Sequence, residues 1–398
     1  MHIVAAGCLS YNVRMANLKQ FFLLDPSIHF LNHGSFGACP APVFETYQVW
    51  QRRLERQPVL LLGREYDGLL KESRIALGEY LNVDDGDLVY IPNATHGVNI
   101  VARSLNLQPG DEVLTTDHEY GACDFTWEFL CKKSGSSYIH QPIALPAVSE
   151  AGMVGQFWAG VSGRTKVIYL SHIASPTALR LPVEQICLRA RAAGILTIVD
   201  GAHAPGQIPL DLAAVGADFY TGNCHKWMLA PKGAAFLWAR REKQGLIDPL
   251  VVSWGYGNDS QFGSGSRYVD LLQWTGTRDP SACLSVPDAI RFMREHDWEA
   301  VRRECHTLLR CAISEICDLT GLAPLYPLDS DLYSQMAIAP LPLETDLVAL
   351  KSGLYDDFKV EVPLIEWQGR KFVRISIQGY NSRADTDALL SGLKALLF

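Results

Sequence analysis

The sequence predicts an α/β protein with a mostly parallel sheet and a smaller C-terminal domain. From about residue 86 to 240, apolar runs alternate with segments of helical periodicity, which is typical of a parallel sheet with helices on both faces. Near residue 290 the pattern changes to a long, charged, amphipathic helical region, Ala289–Thr320. The 398 residues, 48% of them hydrophobic, are enough for two domains.

The individual elements follow from this pattern. The predicted strands are the six apolar runs Leu88–Ile91, Glu112–Thr116, Lys166–Ser171, Ile195–Asp200, Phe219–Gly222 and Ala234–Trp238. The predicted helices between them include Thr95–Leu105, Gly121–Lys133 and Val183–Ala193, the last ended by Gly194. Further on we predict a long ordered loop at Trp254–Gly276, a late strand at Val373–Ile377 and a closing helix at Asp385–Leu397.

We therefore predict a large domain over residues 31–290 and a small C-terminal domain over 291–398, with residues 1–30 packing against the small domain. The net charge of −8 and the lack of a Lys/Arg block disfavour a nucleic-acid partner. No apolar run is long enough to predict a membrane span. The ten cysteines have irregular spacing and no Cys-x-x-Cys pair, which disfavours a structural zinc site and favours free thiols in the cytoplasm.

Two residues carry the strongest functional signal. Asp200 ends a buried strand, and Lys226 lies on a short polar turn between two apolar runs. A lysine that forms a Schiff base and a carboxylate that keeps a pyridine nitrogen protonated are two groups that pyridoxal phosphate chemistry requires. The alternatives are a surface lysine and an ordinary salt bridge or helix cap.

Other candidates for the cofactor follow strand ends, where ligands of open parallel sheets gather. Ala94 and Thr95 open a helix whose N-terminus favours a phosphate, unless Asn93 or Thr95 only caps the helix. The lysine turn adds Asn223 and His225. His203 is a candidate to hydrogen-bond the phenolic oxygen of the cofactor. Tyr120 is the candidate to stack on the pyridine ring, and His118 is the alternative for that role. For each histidine and for Tyr120 a purely structural role is the alternative.

Candidates for the substrate lie at the two ends of the chain. Arg374, in a strand of the small domain, is suited to bind a carboxylate through two hydrogen bonds, unless it forms a surface ion pair. Asn32, His33 and Gly34 belong to the glycine-containing polar loop Asn32–Gly37, which either lines the substrate entrance or makes a simple turn. The segment Trp274–Arg278 is a further candidate for an anion contact, and its distance in sequence from the other candidates allows it to come from a second subunit.

Together these residues resemble the class V aminotransferase family of the fold type I pyridoxal-phosphate enzymes, and within it the isopenicillin N epimerase-like branch. The motifs that carry the resemblance are Leu31–Gly37, Asp117–Tyr120, Val199–Gly206, Gly222–Trp227, Ala230–Gly233 and Gly276–Asp279. The resemblance implies a large domain with a seven-stranded, mostly parallel sheet, a smaller α+β domain, and a homodimer with the site at the interface. It also implies the roles proposed above, with Thr277 reaching the phosphate of the partner's site.

The shared chemistry of the family leaves the reaction open. Lys226 is expected to hold the cofactor and then to remove the α-proton of an amino acid, while Asp200 maintains the ring charge. Epimerisation, which we favour from the branch, needs a second acid on the opposite face, for which Tyr120, or a water that it orients, is our hypothesis. A carbon–sulfur lyase and an aminotransferase are the alternatives, since few groups near the substrate separate them.

Two departures from the family and two other protein classes bear on this choice. No cysteine follows Cys317, which disfavours persulfide transfer, and Ser175 stands where many relatives place an asparagine near the cofactor. A nucleotide-dependent oxidoreductase is disfavoured because the chain lacks a Gly-x-Gly-x-x-Gly turn after a first strand. A non-catalytic binding protein is disfavoured by the intact Lys226 and Asp200.

Overall fold

The computed structural model describes residues 18–147, 149–257 and 263–398, so most of the predicted N-terminal segment lies outside the described residues. The α-helices are α1 (His33–Phe36), α2 (Ala41–Arg56), α3 (Pro58–Leu60), α4 (Tyr66–Leu81), α5 (Ala94–Ser104), α6 (Gly121–Ser134), α7 (Glu150–Trp158), α8 (Val183–Ala192), α9 (Leu212–Val215), α10 (Arg267–Gln273), α11 (Ser281–Leu284), α12 (Val286–Glu295), α13 (Trp298–Thr320), α14 (Leu347–Asp356) and α15 (Arg383–Leu397). The strands are β1 (His29–Phe30), β2 (Leu88–Ile91), β3 (Glu112–Thr116), β4 (Ser137–Gln141), β5 (Thr165–Ser171), β6 (Leu196–Gly201), β7 (Phe219–Asn223), β8 (Ala235–Ala239), β9 (Met336–Leu341), β10 (Val360–Glu361), β11 (Leu364–Trp367) and β12 (Arg370–Ser376).

A seven-stranded sheet forms the centre of the larger part of the molecule. Its strand order is β2-β8-β7-β6-β5-β3-β4. The pairs from β7 to β4 are parallel, and β8 runs antiparallel to both of its neighbours. Every residue of β2, β3, β7 and β8 is buried, as expected for strands covered on both faces. The predicted α/β class with a mostly parallel sheet is confirmed.

The C-terminal part contains a three-stranded antiparallel sheet in the order β11-β12-β9. The N-terminal residues contact it, because β1 pairs in parallel with β10 and the Leu18 amide donates to the Gly379 carbonyl at 3.0 Å. The His29 ring also lies 2.8 Å from a carboxylate oxygen of Asp385. The division of the chain into domains at residues 30 and 290 stays a prediction.

Three regions differ from the sequence prediction. The edge strand β4 was not predicted. The helical region Ala289–Thr320 is divided into α12 and α13, because Asp297 has a left-handed conformation (φ 44°) and its side chain accepts the Ala300 amide at the start of α13. The predicted loop Trp254–Gly276 contains α10, so the loop interpretation is wrong for Arg267–Gln273.

Candidate active site

A cavity of about 270 Å³ opens at the edge of the sheet where β2, β3, β5, β6 and β7 end. Its walls bring together eight of the residues predicted from sequence. They are Ala94, Thr95, Tyr120, Asp200, His203, Asn223, His225 and Lys226. Seven further residues line it, namely Ser35, Phe36, Asn93, Ser171, Ile173, Ser175 and Ala202.

Lys226 lies on the turn that reverses the chain between β7 and β8. The amides of Cys224 and His225 both donate to the Ala234 carbonyl, at 3.0 and 3.1 Å, which closes the turn. The lysine side chain points inward, with Nζ 3.2 Å from Nε2 of His203. Burial lowers the pKa of Lys226 to about 8, although the nearby Asp200 opposes the change. Near neutral pH a useful fraction of this amine is therefore uncharged.

Two glycines from other segments lie against the backbone of this turn. Gly37 has φ +70°, and a Cβ atom there would lie 2.2 Å from the His225 carbonyl oxygen. Gly206 has φ +86°, and a Cβ atom there would lie 2.2 Å from the Trp227 carbonyl oxygen. Both the close approach and the left-handed conformation require glycine. The backbone around Lys226 is thus held from both sides.

Asp200 is buried at the end of β6, and its hydrogen bonds are few. One carboxylate oxygen accepts the Ala202 amide at 2.9 Å, and the other accepts the Tyr169 hydroxyl at 3.3 Å and the Cys123 thiol at 3.6 Å. Burial raises the pKa of Asp200, and the attraction of Lys226 opposes this. Among the described residues no basic side chain comes within 4.0 Å of the carboxylate. The site therefore favours a cationic ligand group beside Asp200.

The N-terminus of α5 forms another wall of the cavity. The Asn93 side chain accepts the His96 amide at 2.9 Å, and the Asn223 side chain accepts the Ala94 amide at 2.9 Å. These bonds fix the start of the helix beside the lysine turn. The Thr95 side chain and the cavity-facing His225 remain near the positive helix end, which favours an anion.

The two histidines on the cavity wall are uncharged. Burial lowers the pKa of His225 to about 4 and that of His203 well below its usual range. His225 Nδ1 donates to the Ala234 carbonyl at 3.1 Å, so its Nε2 atom is left with a lone pair. His203 Nδ1 lies 3.2 Å from the indole nitrogen of Trp227.

Of the two aromatic candidates after β3, only Tyr120 lines the cavity. Its side chain is 46% exposed, so its ring is accessible from the mouth. His118 is fully buried instead, where it contacts the Thr177 hydroxyl and the Ile143 carbonyl, each at 2.8 Å. Its ring packs against Trp367. His118 is therefore a packing residue.

Arg374 lies directly behind the cavity wall. Its Nη1 donates to the Ser175 carbonyl at 2.6 Å, and its Nη2 lies 3.2 Å from the Ser35 hydroxyl. Both serines line the cavity. Burial lowers the pKa of Arg374 to about 10, and its Nε atom has no hydrogen-bond partner among the described residues. A guanidinium in this state favours an anionic ligand.

The other predicted substrate contacts do not line the cavity. His33 is fully buried, and its Nε2 atom donates to the Lys226 carbonyl at 3.1 Å. Gly34 packs so closely that a Cβ atom would lie 2.7 Å from the sulfur of Met336. Asn32 donates to Glu361 at 3.0 Å and accepts the Ser35 hydroxyl. The segment Asn32–Gly37 was predicted as a polar loop at the substrate entrance, but His33–Phe36 forms α1. Within this segment Ser35 and Phe36 line the cavity, whereas Asn32, His33 and Gly34 support it.

Thr277 is exposed and outside this cavity, so a contact with the cofactor would have to come from a second subunit. The residues that do line the cavity fit pyridoxal phosphate. Three features match the aldehyde, the ring nitrogen and the phosphate of this cofactor respectively. They are a low-pKa lysine, a buried carboxylate with no basic side chain within 4.0 Å among the described residues, and a helix N-terminus with Thr95 and His225.

Comparisons with known proteins agree with this arrangement. The family described as Aminotransferase class-V matches residues 43–389. The chain is 35% identical over 394 residues to an isopenicillin N epimerase of Amycolatopsis lactamdurans, covering 96% of this chain and 98% of the relative. It is 27% identical to a probable chloroplastic L-cysteine desulfhydrase of Arabidopsis thaliana, covering 95% of this chain and 85% of the relative.

A solved structure shows the same fold. The apo cysteine desulfurase of Thermococcus onnurineus NA1 superposes with a TM-score of 0.80 at 18% identity, covering 96% of this chain and 97% of that chain. A second structure, a complex between the cystine C–S lyase C-DES and cysteine persulfide, has a TM-score of 0.77 at 20% identity, over 93% and 98% of the two chains.

Proposed function

Because this chain belongs to the class V aminotransferase family, whose members use pyridoxal phosphate, we propose that it inverts the α-carbon of an amino-acid-like substrate. The cofactor supplies an electron sink for the α-carbanion. The chain supplies the groups that bind the substrate and move its proton. The two isopenicillin N epimerases among its relatives, at 35% and 34% identity, support this choice of reaction.

The observation that carries the proposal is the position of two proton-transfer groups on different strands. Lys226 follows β7 and Tyr120 follows β3, and both line the same cavity. In the sheet β6 and β5 lie between these two strands, and Asp200 at the end of β6 lies between the two groups. Inversion needs one group that removes a proton and another that returns it from the opposite side. The separate positions of Lys226 and Tyr120 on the cavity wall support these two roles.

The remaining residues have binding roles in this proposal. Asp200 holds the ring nitrogen, and Ala94, Thr95, Asn223 and His225 form the phosphate end of the site. Arg374, held behind Ser35 and Ser175, binds the α-carboxylate of the substrate. Asn32, His33 and Gly34 have a supporting role, in which they hold Ser35 and the lysine turn in position.

A carbon–sulfur lyase is the second candidate. The desulfhydrases among the relatives favour it. No cysteine lines the cavity among the described residues, so release of sulfide is more consistent with the site than persulfide transfer to the protein.

We further propose a cytoplasmic homodimer in which Thr277 of one subunit reaches the phosphate in the other. The exposure of Thr277 outside its own cavity supports this. Within the described part of the chain, no helix combines the length and apolarity of a bilayer crossing. Light scattering measures the subunit number, and loss of cofactor affinity in Thr277→Val only in the dimer supports the contact.

The reaction is tested in deuterium oxide with a panel of amino acids, cysteine derivatives and aminoadipyl peptides. An epimerase yields substrate of both hands with deuterium at the α-carbon. Pyruvate and ammonia from cysteine identify a lyase instead. Tyr120→Phe is expected to abolish inversion but to keep α-proton exchange in the starting enantiomer, because Lys226 is intact. If Tyr120→Phe inverts the substrate at the normal rate, Tyr120 is not the second proton donor.

A further inference from the structure

The hydrogen-bond partner of His203 determines which of its nitrogens carries the proton. Trp227 is fully buried, and its indole Nε1 lies 3.2 Å from Nδ1 of His203. An indole N–H only donates, so Nδ1 of His203 accepts. A neutral imidazole carries one proton, which must then be on Nε2. His203 is only 3% exposed, so the protonated ring is not a competing state.

The orientation of the ring follows from the same bond. If the ring were turned over, a carbon atom would face the indole N–H of Trp227 and the donor would be left buried without a partner. In the orientation observed, Nε2 of His203 faces the cavity and lies 3.2 Å from Nζ of Lys226.

We propose that Trp227 is a positioning residue, which fixes His203 as the Nε2–H tautomer and so presents a proton donor to the cavity. In the apoprotein above about pH 8, where most of the Lys226 amine is uncharged, this N–H donates to that amine. With the cofactor bound as proposed above, the same N–H would be available to its phenolic oxygen. Only this last step depends on the proposed function, since the tautomer follows from the contacts of His203 with Trp227 and with the uncharged amine of Lys226.

The tautomer is measured directly in apoprotein labelled with ¹⁵N-histidine. The resonances of His203 are identified by their loss in His203→Gln. The wild type is expected to show protonated Nε2 and unprotonated Nδ1. Trp227→Phe, which keeps an aromatic ring but removes the donor, is expected to populate the Nδ1–H form. Above about pH 8, a wild-type His203 signal with protonated Nδ1 would overturn the proposal, even if Trp227→Phe does not fold.

Trp238→Phe is the matched control. Trp238 is also buried, but its indole nitrogen has no hydrogen-bond partner among the described residues. The substitution removes the same atoms without removing a hydrogen bond. It is expected to leave the His203 signal at its wild-type position. A shift of equal size in both variants would mean that lost packing, and not the lost donor, changes the ring.

The second readout is the pH dependence of amine labelling at Lys226, followed by peptide mass spectrometry of the apoprotein. In Trp227→Phe the freed Nε2 lone pair accepts from the ammonium form of Lys226, so the apparent pKa of Lys226 is expected to rise by about one pH unit. Asp200 and Arg374, the other charges that act on Lys226, are unchanged.

In a His203→Gln background, Trp227→Phe is expected to leave the apparent pKa of Lys226 unchanged, because the histidine ring whose tautomer Trp227 selects is no longer present. An equal effect in both backgrounds would refute the relay through His203. Both readouts use protein without cofactor, so they succeed or fail independently of the proposed reaction.

Discussion

Replacing Asp200 by asparagine should change the stability of the apoprotein and its affinity for pyridoxal phosphate in opposite directions. In the apoprotein Asp200 is a buried carboxylate with one 2.9 Å bond from the Ala202 amide and a longer contact with Tyr169. An asparagine oxygen keeps the Ala202 bond without a buried charge. We therefore expect Asp200→Asn to stabilise the apoprotein by about 1–3 kcal/mol.

The effect on the cofactor follows from the loss of a buried charge pair. Removing one partner of such a pair costs about 3–5 kcal/mol, which is a factor of about 10² to 4 × 10³ in affinity. The affinity is measured by titration of the apoprotein with pyridoxal phosphate, and the stability by urea unfolding of the same preparation. The variant should thus resist more urea than the wild type before loading and gain less from loading.

Asp218→Asn is the matched control. Asp218 is also buried, but it accepts the Thr197 amide at 2.9 Å and lies 3.6 Å from Nε of Arg240. Its substitution should destabilise the apoprotein and leave cofactor affinity unchanged. If Asp200→Asn behaves in the same way, Asp200 is a structural acid and the assignment of the ring-nitrogen partner is wrong.

Three further predictions concern other parts of the site. The pKa of Lys226 is about 8 in the folded chain and 10.5 in the unfolded chain. Between these two pH values the unfolded chain binds more protons, so the free energy of unfolding should rise with pH. Urea unfolding should show that Lys226→Met removes this rise. Arg374→Ala should raise KM by about 10²-fold and leave the visible cofactor absorption intact, because the lost contact is with the substrate; unchanged steady-state kinetics would contradict the role. Gly37→Ala should lower the free energy of unfolding by about 2–4 kcal/mol through its clash with His225, whereas Gly110→Ala, at φ +91° with no atom within 4 Å, isolates the smaller cost of strain.

The pattern of apolar residues predicted most of the central sheet. The strands around Asp200 and Lys226 are buried on both faces, and burial of this kind leaves a continuous apolar run in the sequence. The strand Ser137–Gln141 was missed for the same reason, since it forms the edge of the sheet and most of its residues are partly or fully exposed. The break at Asp297 was not predicted because the helical pattern continues across it.

The sequence predicted cavity-lining residues best at or shortly after the ends of strands. Asp200 lies near the end of β6, and Lys226 and Tyr120 follow β7 and β3 within a few residues, where the topology brings strand ends to one edge. The loop at His33 was predicted only as a whole. Its alternation of cavity-lining and supporting residues depends on contacts with the distant lysine turn, which no local pattern reveals. The distinction between Tyr120 and His118 likewise depends on packing against Trp367.

The two glycines beside the lysine turn restrict what can move during turnover. A Cβ atom at Gly37 or Gly206 would lie 2.2 Å from the carbonyl oxygen of His225 or Trp227, so the backbone that carries Lys226 has little space to shift towards either glycine. Movement of the amine between cofactor and substrate is therefore expected to come mainly from rotation about the side-chain bonds of Lys226. A larger residue at either glycine would displace the lysine from the cavity, which makes these two distant positions as restrictive for the reaction as the cavity lining itself.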